Sequence, residues 1–279
     1  MELSAVDAFD RLCGWRRGTG DWAGVRAAIA RRDPIQIIQE AGSTQWQALL
    51  PPDHCFYFGF PDYTATAREM TPEPRARIWI SPTQRRFALE SILPKVQWHP
   101  RVLWVGVGCN QGTSESLIEY AIQKTLRSHH LAESAIAGIA TIDRKANEVG
   151  LVKFCDDRSL PLRLFSADAL SAVTVPNPSV AVEKVGTSSV AEAAAILATL
   201  DYGATDSLTQ PSLRVAKKIV RVEGQLGSVT VAIAQADQEY IPLREALGRT
   251  GSLDRGQSTD LGESLRHYTN KGYSLNPQP

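Results

Sequence analysis

The sequence predicts an α/β protein built of two α/β domains, the second a sheet covered by helices on both faces. Three observations carry this. The chain has 279 residues, and at about 150 residues per domain that length holds roughly two. Between residues 102 and 235, short runs of branched apolar residues alternate with segments of helical spacing, which is the pattern of a sheet layered with helices. Before residue 100, runs rich in aromatic and branched residues are separated by turn residues, as strands are.

In order, residues 4–12 and 21–31 read as short helices. In the second, Asp21 is placed to cap, and Trp22, Val25 and Ile29 recur at helical spacing. PIQIIQE at 34–40 reads as a strand ended by a turn at Gly42 and Ser43; HCFYFGF at 54–60 and RARIWIS at 75–81 are two more. PTQRRFALESIL suits a helix, and the proline-bearing QWHPR at 97–101 suits a domain boundary. Residues 1–97 thus form a small α/β domain of roughly three strands.

Residues 100–240 form the second domain. Strand 102–107 leads to a helix at 114–128, where Leu117, Tyr120, Ala121 and Leu126 supply an apolar side. IAGIATI at 136–142 is a strand, followed by a helix near 147–156 and strand PLRLF at 161–165. SADAL begins a helical turn, VTVPNPS is an extended loop, and VAEAAAILATL at 190–200 is a strong helix former. RVAKKIVRVE and GSVTVAIAQ read as a late hairpin. Residues 245–279, rich in Gly, Ser, Thr, Asn and Pro, are expected to be a mostly disordered tail.

Thirty basic residues balance thirty acidic ones, so no global field points to nucleic acid or an anionic membrane. Aromatics do not interleave with a basic patch as in single-strand binders. The start has no basic segment feeding an apolar run, so a signal peptide is not expected, and no apolar run is long enough for a membrane span. Cys13, Cys55, Cys109 and Cys155 are scattered through a chain large enough to bury a core without crosslinks. Reduced thiols and a cytoplasmic location follow.

VLWVGVGCNQGTS at 102–114 runs an apolar strand into glycines and a helix cap. It lacks the lysine of a Walker loop and the spacing of a dinucleotide fingerprint. Glycines let backbone approach a ligand, and Thr113 or Ser114 can cap the next helix, whose open N–H groups favour a carboxylate or developing oxyanion. A plain strand-to-helix turn explains the same residues. Cys109 reads either as a nucleophile at a helix start or as a packed small residue, and no histidine lies where a base is needed.

Thr141, Asp143, Lys145 and Glu148, in ATIDRKANEVG, follow the second strand at the edge where open α/β sheets bind ligands. Asp143 and Glu148 suit proton transfer with water, and Lys145 suits holding an acid group or an oxyanion. Loop capping by solvated charges is the plainer reading. A third loop, PNPS at 176–179 leading through Glu183 to Gly186, Thr187 and Ser188, again sets polar residues before a helix. Three such entries at one edge are expected to converge in one cleft. No CxxC, HExxH or paired-histidine spacing marks a metal site, and no GxSxG elbow marks a serine hydrolase.

Together, GVGCNQGTS, ATIDRKANEVGL, LPLRLFSADAL, VPNPS and VGTSSVAEAAAI resemble, in order, the C-terminal domain of the cobalt-precorrin-5A hydrolase family of cobalamin and porphyrin biosynthesis. VAKKIVRVEGQLGSVTVAIA is similar to the end of that domain, where a lysine-bearing strand, here with Lys217, precedes a last apolar strand. Residues 5–97 resemble the family's more variable middle domain. The resemblance implies opening of the δ-lactone of cobalt-precorrin-5A and release of acetaldehyde, giving cobalt-precorrin-5B. It implies a cobalt-containing tetrapyrrole as partner, with cobalt carried by the substrate and no cofactor held by the protein. That chemistry suits the loop residues read above: Asp143 or Glu148 is expected to act on water or a transferring proton, with Lys145 and the 108–113 backbone stabilising a carboxylate or oxyanion. Substrate contacts fall to Gly106, Gly108, Cys109, Asn110, Gln111, Gly112, Thr113, Ser114, Asn177, Ser179, Gly186, Thr187, Ser188 and Lys217. Where the family has two basic residues after the cysteine, this chain has Asn110 and Gln111, which weakens attraction for a carboxylate but keeps hydrogen-bonding capacity. Full-length members carry a further N-terminal domain, implying a separate N-terminal subunit, partner pathway enzymes or a shortened homologue. A non-catalytic tetrapyrrole-binding or carrier protein of the same pathway is the alternative function.

Overall fold

The computed structural model describes residues 14–60, 72–88, 92–177, 189–202 and 213–242. Those up to Tyr240 belong to one compact unit, and two five-stranded sheets organise them. The first sheet contains β1 (Trp15–Gly20), β2 (Ile35–Gln39), β3 (Phe56–Phe58), β4 (Ala76–Ile80) and β5 (Lys95–Pro100), in the order β1-β5-β4-β2-β3. All its pairings are parallel except β1 with β5. Helix α1 (Trp22–Ala30) starts as expected, with the Asp21 carboxylate accepting the Gly24 amide at 2.8 Å. Its Val25, Ala28 and Ile29 pack on Ile35, Ile37, Ile78, Ile80 and Val96, which the two-residue strand period puts on one face.

This sheet departs from the sequence reading in three ways. Trp15–Gly20 is a strand although WRRGTG shows no alternation, because it is an edge strand whose pairing to β5 and one buried anchor, Trp15, suffice. Residues 82–88 are not helical. Their backbone is committed elsewhere: Ala132 donates to Pro82, Gln84 to His130, and Arg85 to the Gln97 side chain. Lys95–Pro100 forms β5, a strand that the sequence reading did not place, with Trp98 and His99 buried. The first sheet therefore has five strands rather than three.

Arg101 follows β5 and is 3% exposed. Its Nε and Nη2 donate to the Ile136 and Ala137 carbonyls, each at 3.0 Å. Its amide donates to Gly14 and its carbonyl accepts from Tyr240, both at 2.8 Å, while its guanidinium lies 4.9 Å from the Tyr240 ring centroid. One residue thus ties the first strand, the second sheet and the last described segment together.

The second sheet has the order β8-β7-β6-β10-β9, with β6 (Leu103–Cys109), β7 (Ile136–Ile142), β8 (Leu162–Phe165), β9 (Leu213–Val220) and β10 (Val229–Gln235). Strands β6, β7 and β8 are parallel, and β10 is antiparallel to both neighbours. As expected, helices cover both faces. Helices α2 (Glu115–Ser128) and α3 (Val149–Asp157) bury Leu117, Ile118, Leu151 and Phe154 on one. On the other lie α4 (Ala167–Ser171) and α5 (Val190–Thr199), through Leu170, Ala193, Ala194 and Ala198. The expected helix at 4–12 and tail at 245–279 lie outside the described residues. Among the described residues, no helix is long and apolar enough to cross a membrane.

His99 makes stability depend on pH. Its Nδ1 is 2.7 Å from the Ser81 carbonyl, so it donates there, and Nε2 has no partner among the described residues. Burial pushes the imidazole below its ordinary value of 6.5, and the Ser81 bond only partly offsets this. The unfolded chain therefore binds the proton first, and stability falls as pH drops below about 6.5. His99→Asn keeps an amide donor for Ser81 without titrating. Urea midpoints at about pH 7 and pH 5 should show a smaller acid loss in the variant than in the wild type; equal losses would place the titrating group elsewhere.

Candidate functional site

The C-terminal ends of β6 and β7 set the first two candidate loops side by side. Thr141, fully buried on β7, donates its hydroxyl to the Val107 carbonyl of β6 at 2.7 Å. Beyond the strands, the Glu148 carboxylate accepts the Gly112 amide at 2.7 Å through Oε1 and the Lys145 ammonium at 2.8 Å through Oε2. The two loops converge, as the sequence predicts. Gly112 has φ 73° with open space around it, a backbone setting that favours glycine. The Thr113 hydroxyl donates to the Asn110 carbonyl at 2.8 Å, and the Ser114 hydroxyl caps α2 by accepting the Leu117 amide at 3.3 Å.

Glu148 is buried, and its position defines its chemistry. Desolvation raises its carboxyl pKa, but the bonds from Lys145 and Gly112 lower it further, and the net value lies below the ordinary glutamate range. The carboxylate is thus held ionised with both oxygens engaged. Asp143 is exposed, and its Oδ1 accepts the Arg144 amide at 2.7 Å. Lys145 keeps 17% of its side chain exposed.

The starts of α2 and α3 flank a cleft of about 490 Å³, whose walls include Gln111, Gly112, Thr113, Ser114, Glu148 and Val149. Its backbone amides and hydroxyls suit an anionic or carbonyl group. Asp143 and Lys145 are not on its walls; they stand beside it, with Lys145 bound to Glu148.

Three expected ligand contacts have other work. Gly106 is buried against α5, and a methyl group there would collide with the Ala191 carbonyl, so this glycine serves helix–strand contact. The Asn110 Oδ1 accepts the Ser228 amide at 2.9 Å, tying the loop to the β9–β10 hairpin. Cys109 packs against the core, and burial pushes its thiol up despite the nearby Lys145, which is the wrong direction for a nucleophile. Gly108 and Gln111 remain open to a ligand, with only Thr230 near Gly108 and Gln111 on the cleft wall.

Of the third loop, Ser179, Glu183, Gly186, Thr187 and Ser188 lie outside the described residues. Its described end is organised by Glu192, which is fully buried in the first turn of α5. Glu192 accepts the Asn177 amide at 3.2 Å, the Asn177 side-chain amide at 2.9 Å and the Lys217 backbone amide at 2.9 Å. The Lys217 ammonium closes the ring by donating to the Asn177 carbonyl at 2.8 Å. This cluster sits on the α5 face of the sheet, and neither Asn177 nor Lys217 lines the α2–α3 cleft. The described part of the third loop therefore does not join the first two in one cleft. Sequence reasoning missed Glu192; the available signal was one acid in a helix otherwise made of alanines and branched residues.

Residues 103–234 match the family model "Cobalamin synthesis G C-terminus", and residues 4–100 match "Cobalamin biosynthesis central region". The chain is 27% identical over 232 residues to a cobalt-precorrin-5A hydrolase of Priestia megaterium, an overlap covering 82% of this chain and 57% of the relative. It thus spans little more than half the length of that relative. Among solved structures, it is similar to CobE, a protein from the cobalamin biosynthetic pathway, with 28% identity, 49% of this chain and 91% of that one covered, and a TM-score of 0.41. A cobalamin biosynthesis protein G homolog from Sulfolobus solfataricus matches with 18% identity, coverage of 84% and 60%, and a TM-score of 0.37. The cobalamin biosynthesis protein chiG from Agrobacterium tumefaciens matches with 28% identity, coverage of 49% and 100%, and a TM-score of 0.35.

The Glu148 bracket has a measurable signature. Glu148→Gln leaves Lys145 without its counter-charge and weakens the bond to Gly112, at a cost of about 1–3 kcal/mol near neutral pH. Because the folded pKa is depressed, this contribution is present above the ordinary value near 4.5 and is lost as pH falls through the folded value. Urea denaturation should show a gap between wild type and variant that closes in acid. A gap independent of pH would mean that packing, not charge, holds the loops.

Proposed function

Since the chain belongs to the cobalamin biosynthesis G family, joining that family's central region to its C-terminal region, we propose that it is a cobalt-precorrin-5A hydrolase acting on a cobalt-bearing tetrapyrrole. The carrying observation is the Gly112–Glu148–Lys145 bracket, which sets an ammonium group, a nearby exposed carboxylate and a cleft of backbone donors around one edge of the sheet. In this reading water adds to the lactone carbonyl and the ring C–O bond breaks, giving a carboxylic acid and an alcohol. The alcohol then loses its proton and leaves as acetaldehyde. The C–C bond electrons stay on the macrocycle, which takes up a proton to become cobalt-precorrin-5B. Cobalt is cargo of the substrate, and the protein needs no cofactor of its own.

Asp143 is the proposed general base, because its Oδ2 has no hydrogen-bond partner among the described residues. Lys145 stabilises the developing oxyanion or a substrate carboxylate. Glu148, with both oxygens engaged, positions these groups rather than moving protons. Gly108, Gln111, Gly112, Thr113 and Ser114 surround the reacting end. The exposed Val149, Ile219 and Leu226 offer apolar contact to the macrocycle. Lys217 with Asn177 provides a second cationic contact. We place the protein in the cytoplasm with the rest of its pathway.

A second reading, a tetrapyrrole carrier without turnover, is favoured by the engagement of both Glu148 oxygens and the Lys145 ammonium with one another and with Gly112. Anaerobic incubation with cobalt-precorrin-5A separates the two, with macrocycle mass and acetaldehyde followed together. The hydrolase reading expects acetaldehyde in step with the mass loss; binding without release selects the carrier. Asp143→Asn should lower turnover about 100-fold or more with substrate affinity retained. An unchanged rate in a folded variant would remove Asp143 from the proton transfer.

A further inference from the structure

The first sheet has a second face, turned away from α1. Alternation puts Tyr57, Gln36, Arg77 and Lys95 on it in one row, since these residues are register partners across β3, β2, β4 and β5. Arg77 and Lys95 are therefore like charges directly opposite each other, an arrangement that destabilises a sheet unless something neutralises it. Neither has an ion pair among the described residues, nor has the exposed Arg86 nearby. Arg77 is also aimed: its Nε donates at 2.7 Å to the side chain of Gln36, itself 4% exposed and donating to the Gly59 carbonyl. That leaves the outer edge of the guanidinium for another acceptor.

These cations line a hollow of about 510 Å³ together with Trp79, Phe87 and His130. Its rim is fixed rather than loose. Gln84 donates to the His130 carbonyl at 2.7 Å, Thr83 bridges Leu131, and Arg85 is pinned through its backbone by Gln97 and stacks over Trp79 at 4.0 Å. Glu40 neutralises Arg85, so the uncompensated charge is that of Arg77, Arg86 and Lys95. Several unpaired cations beside aromatic side chains complement a ligand with a flat apolar body and several anionic groups.

We propose that this hollow binds a carboxylate-bearing macrocycle, with Arg77 and Lys95 pairing with its carboxylates and Trp79 and Phe87 meeting its ring system. The choice of a macrocycle over other flat polyanions rests on the function proposed above; the anion site itself does not. It lies on the first sheet, apart from the Asp143–Lys145 edge of the second.

The test titrates the whole chain with metal-free uroporphyrin at low salt, followed by visible absorbance and tryptophan fluorescence. The wild type should bind saturably. Arg77→Gln with Lys95→Gln should weaken binding by about 10-fold or more, whereas the charge-keeping exchange Arg77→Lys with Lys95→Arg should stay within a few-fold of wild type. A cooperative urea transition of the unliganded glutamine variant shows that it folds, with the relief of the like-charge contact set against the lost Arg77–Gln36 bond. Equal porphyrin affinity in wild type and glutamine variant, or no binding to the wild type, overturns the site. Displacement of porphyrin by ATP at comparable concentration overturns the macrocycle assignment. Loss of porphyrin binding in the glutamine variant of a protein that releases no acetaldehyde leaves this site standing and removes the hydrolase reading instead.

Discussion

The buried guanidinium of Arg101 is the constraint on which the arrangement of both sheets depends. Desolvating a charge that cannot be deprotonated costs several kcal/mol unless its donors are satisfied. Here the donors meet the Ile136 and Ala137 carbonyls at the start of β7, and the ring of Tyr240 covers the cation. The Arg101 backbone simultaneously holds Gly14 and Tyr240. The start of β7 is thereby fixed relative to the first sheet. The same strand ends at Ile142 and Asp143 follows it directly, so the location of the candidate catalytic loop follows from where this arginine is buried.

Carboxylates do the finer positioning. Glu148 takes the Gly112 amide, Glu192 those of Asn177 and Lys217, and Glu239 that of Ser43 at 2.8 Å. Each is an ionic acceptor on a backbone donor that neither helix nor ladder satisfies, the stronger kind of hydrogen bond. Loops beside both sheets are thus shaped by internal carboxylates.

How much of this was readable beforehand follows from the range of each interaction. The second sheet was legible because branched strands and 3.6-residue helices repeat locally, and because the Ser114 cap declares itself within a few residues. Trp15–Gly20 was passed over, and residues 82–88 were read as a helix, because their backbone partners are remote: β1 needs β5, and Gln84 needs His130. At the site, Asp143, Lys145 and Glu148 were visible from their place after a strand. Glu148's task was not, since it is set by Gly112, distant in sequence. Asn110 looked like a ligand contact until the hairpin at Ser228 claimed it. Glu192 was hidden in a run of good helix formers.

The absent side chain at Gly106 has a mechanical consequence. Elsewhere in the core, side chains separate helix from strand and can absorb small shifts by changing rotamer. At this point β6 and α5 meet backbone to backbone, with no compressible layer between them. Glu192, one residue past Ala191, and the loop a few residues past Gly106 therefore ride on a single stiff coupling. A side chain at position 106 would have to lift α5 off β6, so the seat of this helix on the strand is set by backbone contact alone.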